Sequence, residues 1–526
     1  MELFRITALL FSVAVATTGC EYTTGEPSIF VGQPVLPGEE PGNLIQGVLW
    51  EPYLEWSLTL DNYEGNPFDL PARTVFTHSE TGEQITTWMF YDGGDIWKFR
   101  FTGTKIGLWT FESFSEVDSL NGYKGSVIIE SNPDMKSRGF SMANGNKFVR
   151  QGPAQDDFEP FIPNAWLNYR EWGNQSRDGW TSISQTFADS NMVGAFLDDA
   201  YTHGMNGIQA IIANQWFTKD VATWNDIDNE NPDPETFYAL EKAILQAHRR
   251  GMFIHIWAWG DEQRQWTPTG LTGGINGEAD RRIQRYIAAR LGPLPGWSMG
   301  FGFDLNEWTN TDEVTDWVDY MQEKAGWPRL LGARGERNFT TPSNATYYSH
   351  DQRLTDNFYQ GSLKLLNDAE NRPVWLTRRF GWMRDNVWDM TTSRRALWQF
   401  AMAGGIGAIW GHYPPASSAS GEGNYQKEQL STYRDFWKDH LLLDLEPDND
   451  LSEGALVLRR QMSHFIFYQE DAGNIHMDLS AIEGSFPAVA VDTKGSNKEI
   501  DLGNLTPGVH NWNPPYQSDW VISIGY

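Results

Sequence analysis

Residues 298–308 read SMGFGFDLNEW, an apolar run that ends abruptly in Asp304, Asn306, Glu307 and Trp308. The pattern predicts a buried strand that delivers polar side chains at its C-terminal end. Directly after it, TDEVTDWVDYMQEKAG (311–326) has the spacing of an amphipathic helix, and PETFYALEKAILQAHRRG (234–251) repeats that pattern upstream. Seven further apolar runs share the strand reading: NAWLNY (164–169), GIQAIIANQW (207–216), MFIHIWAWG (252–260), RLLGA (329–333), ATYYSHD (345–351), RPVWLTRRF (372–380) and GIGAIWGHY (405–413). Eight strand-then-helix units over residues 150–445 predict a (β/α)8 TIM barrel. In that architecture the chemistry lies at the C-terminal ends of the strands, where the runs place Trp166, Asn214, Trp216, Asp261, Glu307, His350, Asp351, Arg378 and His412.

The flanks differ in pattern. From 46 to 140 short, alternating, aromatic-rich runs such as LEWSLTL, RTVFTH and IWKFRF, punctuated by Asp92-Gly93-Gly94, predict a β-sandwich. From 450 to 526 short strands return (ALVLRR, HFIFYQE, AVAVDT, WVISIGY), predicting a small C-terminal β-sandwich. Residues 21–45, rich in Gly, Pro and Glu without periodicity, read as a linker. The first 20 residues have an early Arg5, an apolar stretch and small residues up to Cys20, the layout of an export signal. With Thr17-Thr18-Gly19 before the cysteine this segment resembles a lipoprotein signal peptide. That resemblance implies a mature chain lipidated at Cys20 and held at the cell envelope, or secreted. Cys20 is the sole cysteine, so a chain lipidated there has no other thiol and disulfides are excluded.

Composition narrows the partners. A chain of 526 residues with 40 basic and 69 acidic residues has a net charge of −29, which disfavours nucleic acid and anionic membrane surfaces through long-range repulsion. Membrane association is expected only through the lipid anchor. Aromatic residues make up 14 % of the chain, with 25 Trp, and flat indole faces suit the C–H faces of sugar rings. Trp166, Trp216, Trp257, Trp259, Trp308, Trp382 and Trp410 fall at or near strand ends as candidate stacking residues, although several such residues belong in the core. No metal is expected: WNDIDNENPDPE (224–235) lacks the glycine and terminal glutamate of a calcium loop and reads as a helix N-terminal cap. No cofactor is expected.

Two family resemblances bear on function. WEPYLEWSLTL (50–60), YEGNPFDL (63–70), FYDGGDIWKFRFTGTKIGLWTFES (90–113) and LNGYKGS (120–126) closely resemble an accessory β-sandwich module at the N-terminus of many bacterial chains proposed to be glycoside hydrolases. RRIQRYIAARLGPLPGWSMGFGFDLNEW (281–308) resembles the helix and fourth strand of clan A glycoside hydrolases. The resemblance implies that Glu307 is the general acid/base and that Asn306 holds a sugar hydroxyl. Glycoside hydrolysis needs a second carboxyl group in the same groove. The seventh strand, where the clan carries its nucleophile, has Thr377, Arg378 and Arg379 instead, while TTSRRALWQFAMAGGIGAIWGHY (391–413) continues the pattern. Asp351, which follows His350, is the first candidate for the partner carboxylate, ahead of Asp304 and Asp385.

A weaker resemblance links Asp304-Leu305-Asn306-Glu307 and Arg372-Pro373-Val374-Trp375-Leu376-Thr377-Arg378, followed by 382–386, to family 31 glycoside hydrolases. On that alternative the chain is a retaining α-glycosidase with Asp304 as nucleophile and Asp385 as acid/base. Arg372, Arg378, Arg379 and Arg384 crowd one short segment of an otherwise acidic chain. Guanidinium groups pair with carboxylate or sulfate, so this cluster points to an anionic polysaccharide such as a sulfated algal galactan or fucan. Salt bridges to Asp385, Asp389 and Glu370 are the competing explanation. A non-catalytic glycan-binding lipoprotein is the competing function.

Overall fold

The computed structural model describes residues 31–32, 44–167, 190–218, 227, 229–260, 262–335, 339–350, 357–380, 390–405, 408–412 and 426–526. Its centre is a sheet of nine parallel segments: β1 (Ala165–Leu167), β2 (Gly207–Ile211), β3 (Phe253–Trp257), β4 (Trp297–Gly300), β5 (Leu331–Gly332), β6 (Arg334–Gly335), β7 (Tyr348–His350), β8 (Val374–Phe380) and β9 (Ala408–His412). Their order across the sheet is β5-β4-β3-β2-β1-β9-β8-β7-β6. The two end segments, β5 and β6, are separated only by Ala333. Helices α1 (Ser190–Thr202), α2 (Pro234–Arg249), α3 (Glu278–Leu291), α4 (Thr311–Ala325), α5 (Phe358–Asp368) and α6 (Met390–Met402) alternate with the strands, and α7 (Lys427–His440) follows β9.

Register sorts the side chains into two faces. Gln209, His255 and Ser298 are Cα partners across β2, β3 and β4, and Ile211, Trp257 and Gly300 form the next row. His255 and Trp375 have ring centroids 4.6 Å apart, and His255 and Tyr347 lie 6.2 Å apart, although β3 is far from β7 and β8 in sheet order. The sheet therefore curls, and this face meets itself in an aromatic interior. Gly300 fits this packing: a Cβ there would lie 2.4 Å from the Trp257 ring. The other face takes the helices. The Trp297 indole donates to the Leu291 carbonyl at the end of α3 (2.9 Å), and Phe301 packs on Trp317 of α4 (5.1 Å). Phe148, from a small antiparallel sheet (Ser141–Asn144, Lys147–Gln151, Phe158–Pro160), packs on Phe161 and Trp375 near the start of the strands.

The helix ends follow local sequence chemistry. Asp233 caps α2, accepting from the Thr236 N–H at 2.9 Å, with Pro234 at the first helical position. The acidic 224–235 stretch thus ends in a cap, as read. Asn310 and Glu313 form a reciprocal capping box on α4, and Gly326 closes that helix in a left-handed conformation (φ 72°).

Two β-rich parts flank the parallel sheet. On the N-terminal side, a sheet containing Leu54–Thr59, Ile96–Phe101 and Phe90–Tyr91 packs on one built from Ile45–Val48, Lys124–Glu130, Gly107–Ser115, Ala72–His78 and Gln84–Trp88. Trp56, Phe76, Phe99 and Phe111 fill the space between them. Val31–Gly32, within the stretch read as linker, adds a parallel edge strand beside Glu55 and Trp56. A two-residue strand is too short for periodicity to reveal. On the C-terminal side a six-stranded sheet runs Glu446–Pro447, Leu456–Arg460, His464–Ala472, Ser518–Ile524, Phe486–Asp492, Ile500–Leu505, with a separate pair Ile475–Asp478 and Val509–Trp512.

Buried charge joins the N-terminal sandwich to the α/β part. Arg100 reaches Glu55 (2.7 Å), Glu241 of α2 (2.8 Å) and the Arg290 carbonyl (2.8 Å), and Arg290 also binds Glu241. Burial alone would push Glu241 up, but the pull of Arg100 and Arg290 outweighs it and holds the carboxyl below its ordinary pKa. Asp69 accepts two bonds from Arg282 (2.8 and 2.7 Å). On the other side Asp519 accepts from Arg394 and Arg395, so its carboxyl, despite burial, stays well below the usual range.

Candidate active site

The segment from 298 onward departs from a simple strand. β4 ends at Gly300, residues 301–304 are irregular, and Leu305–Glu307 form one 3-10 turn. Asp304 precedes that turn in a left-handed conformation (φ 54°, ψ 36°). The strand end intervenes before Asp304, so strand alternation does not relate its side chain to that of Glu307.

This turn sets Glu307 at the C-terminal edge of the parallel sheet with its side chain exposed. Gln263, on the short turn Glu262–Arg264 that follows β3, donates its amide to Glu307 Oε1 at 3.3 Å. Next to it, Glu262 Oε2 accepts from Thr267 (2.7 Å) and Thr269 (3.2 Å), pinning the loop. An accessible carboxyl group held by an amide can exchange a proton with a bound ligand. Asn306 is exposed beside it, and Asp304 is half-buried. Sequence reading selected Asp261 and passed over Glu262 and Gln263. Their only signal was position, directly after the third strand.

The tryptophans divide differently from expectation. Trp166 is fully buried on the helix-covered side against His203, 5.1 Å between ring centroids. It shares register with Ile208, opposite in sense to the inward Gln209 row. Trp216 is also fully buried, stacked toward Phe237 of α2 (5.3 Å), with its indole donating to the Ala258 carbonyl. Trp259 is 1 % exposed near Phe217, and Trp257 belongs to the aromatic interior, donating to Gln209 at 2.7 Å. Trp308 tucks beneath the Glu307 turn, donating to the Phe303 carbonyl (3.2 Å) and packing on Phe301. These five serve as core, because a large indole on a strand or its first turn gains most by burial.

The arginine cluster also splits. Arg372 precedes β8, at the N-terminal end of the sheet, roughly 20 Å of extended chain from Arg378. It donates to the Ala369 carbonyl at 3.1 Å and to the Pro342 carbonyl. Arg372 therefore does not line a groove at the strands' C-terminal ends. Arg378 and Arg379 lie on β8, within the stretch where its pairing with β9 shifts between Leu376 and Phe380. His350 pairs with Leu376, Trp410 with Trp166 and His412 with Leu167. Asp261, Asp351, Trp382, Arg384, Asp385, Asp389 and Cys20 lie outside the described residues. Among the described residues no group of three or more His, Cys, Asp or Glu is placed to hold a metal ion, and no helix is long and apolar enough to cross a membrane.

Comparison with known proteins adds three findings. Residues 50–116 match a domain of unknown function (DUF5060), and no curated protein matches the chain. Among solved structures, a proposed glycoside hydrolase from Bacteroides vulgatus ATCC 8482 superposes with a TM-score of 0.67 at 16 % identity, over 91 % of this chain and 99 % of that one. A second structure described as a glycoside hydrolase gives 0.54 at 13 % identity, covering 74 % of this chain and 97 % of its own. A family 5 glycoside hydrolase, also from Bacteroides vulgatus ATCC 8482, gives 0.53 at 13 % identity, covering 74 % and 92 %. The chain thus shares its fold with glycoside hydrolases, a family 5 glycoside hydrolase among them.

Proposed function

We propose that the protein is a glycoside hydrolase whose curled parallel sheet closes as a (β/α)8 barrel, with Glu307 as general acid/base. The observation carrying this reading is an exposed carboxyl group on the turn after the fourth strand, tied to Gln263 from the turn after the third, in a fold shared with glycoside hydrolases. A carboxyl group there is suited to protonating a leaving oxygen, with Asn306 beside it to bind a sugar hydroxyl. Asp351, one residue beyond β7, is the proposed partner carboxylate. The proposed substrate is a polysaccharide, and Arg378 and Arg379 on β8 support an anionic one. Lipidation at Cys20 and a place at the cell envelope complete the proposal.

The test is release of new reducing ends from a panel of algal and plant polysaccharides. Cleavage by the native chain and its loss in Glu307→Gln support the assignment. Binding without cleavage, unchanged in Glu307→Gln, identifies a glycan-binding protein instead. One observation favours the family 31 alternative: Asp304 is held half-buried in a left-handed backbone, and strained residues gather at functional sites. On that reading Asp304→Asn abolishes cleavage while Glu307→Gln retains it.

A further inference from the structure

A cleft of about 810 Å³ opens where the N-terminal sandwich, the small sheet around Met142 and the starts of the parallel strands meet. Thr86, Arg329, Ser343, Thr346, Asn371 and Arg372 line it. Arg329, Thr346 and Arg372 precede β5, β7 and β8, so the cleft lies at the end of the sheet opposite Glu307. Its size is in the range of small-molecule sites.

The lining is unusual for so acidic a chain. Arg329 is only 6 % exposed and, among the described residues, forms no ion pair: its terminal nitrogens donate to the carbonyls of Leu294 (2.9 Å), Trp297 (3.3 Å) and Gly292, while its buried Nε meets no partner among them. Arg372 likewise donates to backbone carbonyls. Glu323, the carboxylate in the lining, is already bonded to Lys324 at 2.8 Å. Two arginines thus line one cavity, each donating to backbone carbonyls and Arg372 with the Glu370 charge nearby, flanked by amides and hydroxyls. Glu370 and Asn371, directly before Arg372, both hold left-handed backbones (φ 54° and 62°), a costly way to deliver that side chain.

The geometry points to a second saccharide site here, taking a sugar that bears a sulfate ester or carboxylate. The anionic group pairs with the Arg372 guanidinium, the buried charge of Arg329 adds attraction behind it, and the ring hydroxyls meet Thr86, Ser343 and Asn371. The site is independent of hydrolysis at Glu307 and stands whether or not that activity is found.

Calorimetric titration tests it with four probes: a sulfated galacto-oligosaccharide, an oligoglucuronate, a neutral galacto-oligosaccharide and sodium sulfate. Binding of one or both charged oligosaccharides is expected, identifying sulfate ester or carboxylate as the group read, while the neutral sugar and sulfate alone bind weakly. Arg372→Gln is expected to weaken the charged oligosaccharide about tenfold or more. Ser343→Glu, which replaces a hydroxyl of the lining with a carboxylate that repels an anion at an exposed position, acts the same way and carries the test should Arg372→Gln fold poorly. Glu307→Gln leaves this binding unchanged. Equal affinity for neutral and charged sugars, equal affinity for sulfate alone, no binding by any probe, or binding lost in Glu307→Gln but kept in Ser343→Glu each overturns the assignment.

Discussion

Glu307→Gln keeps the size of the side chain and its contact with Gln263 but removes the exchangeable proton. Cleavage is expected to fall by about 10²- to 10⁴-fold, while the melting temperature stays near that of the native chain, because the side chain is exposed. His255 behaves in the opposite way. It sits in the aromatic interior with Nδ1 on Ser298 (2.9 Å), and burial pushes its pKa down from 6.5 to about 3. The unfolded chain therefore binds the proton first, so stability is full above about pH 6.5 and declines as pH falls toward 3. His255→Gln is expected to flatten urea-unfolding midpoints across that window; an unchanged slope sinks the assignment. At this scale the sequence singled out Glu307 from its place after an apolar run, and the structure has it exposed on the turn beyond that strand, but the sequence also offered buried indoles as stacking residues. Periodicity cannot say which face of a doubly covered strand a Trp occupies: Trp166 and Gln209 both lie in apolar runs, yet register turns them to opposite sides.

At the scale of elements, each of the eight apolar runs overlaps a strand. The polar ends peel into 3-10 turns, as at Ala213–Trp216 and Leu305–Glu307, and those turns carry candidate chemistry. Hydrophobicity marks a strand's middle, whereas its end is set by hydrogen bonding and packing that a linear pattern does not encode. The helix starts were more legible because a cap is a local event. Asp233→Ala is expected to cost about 1 kcal/mol in chemical denaturation, with Asp233→Ser restoring most of it. Gly300→Ala is a sharper probe of the interior: its methyl group would meet Trp257, and a loss of about 1–3 kcal/mol is expected.

At the scale of the molecule, the change from alternating to helical patterning marked three regions, but the contacts between them had no linear signature. Arg100 lies in a strand of the N-terminal sandwich, Glu241 in α2 and Arg290 in α3, and only the folded chain gathers them. Removing one member leaves a buried charge incompletely paired, so Arg100→Ala is expected to cost about 3–5 kcal/mol. In calorimetry the N-terminal sandwich and the α/β part should then melt separately; one undivided transition at the native temperature would contradict this.

The Arg100 network also sets what can be recombined. An accessory module joined only by a tether can be grafted onto another enzyme as a cassette. This sandwich shares its charge balance with its host through Arg100, Asp69 and the Trp327 indole, which donates to the Thr102 carbonyl at 2.9 Å. A graft that cut near residue 140 would sever those bonds. The sandwich and the surface beneath it are thus constrained to change together, and a working chimera needs Glu241, Arg282, Arg290 and Trp327 transplanted with the module.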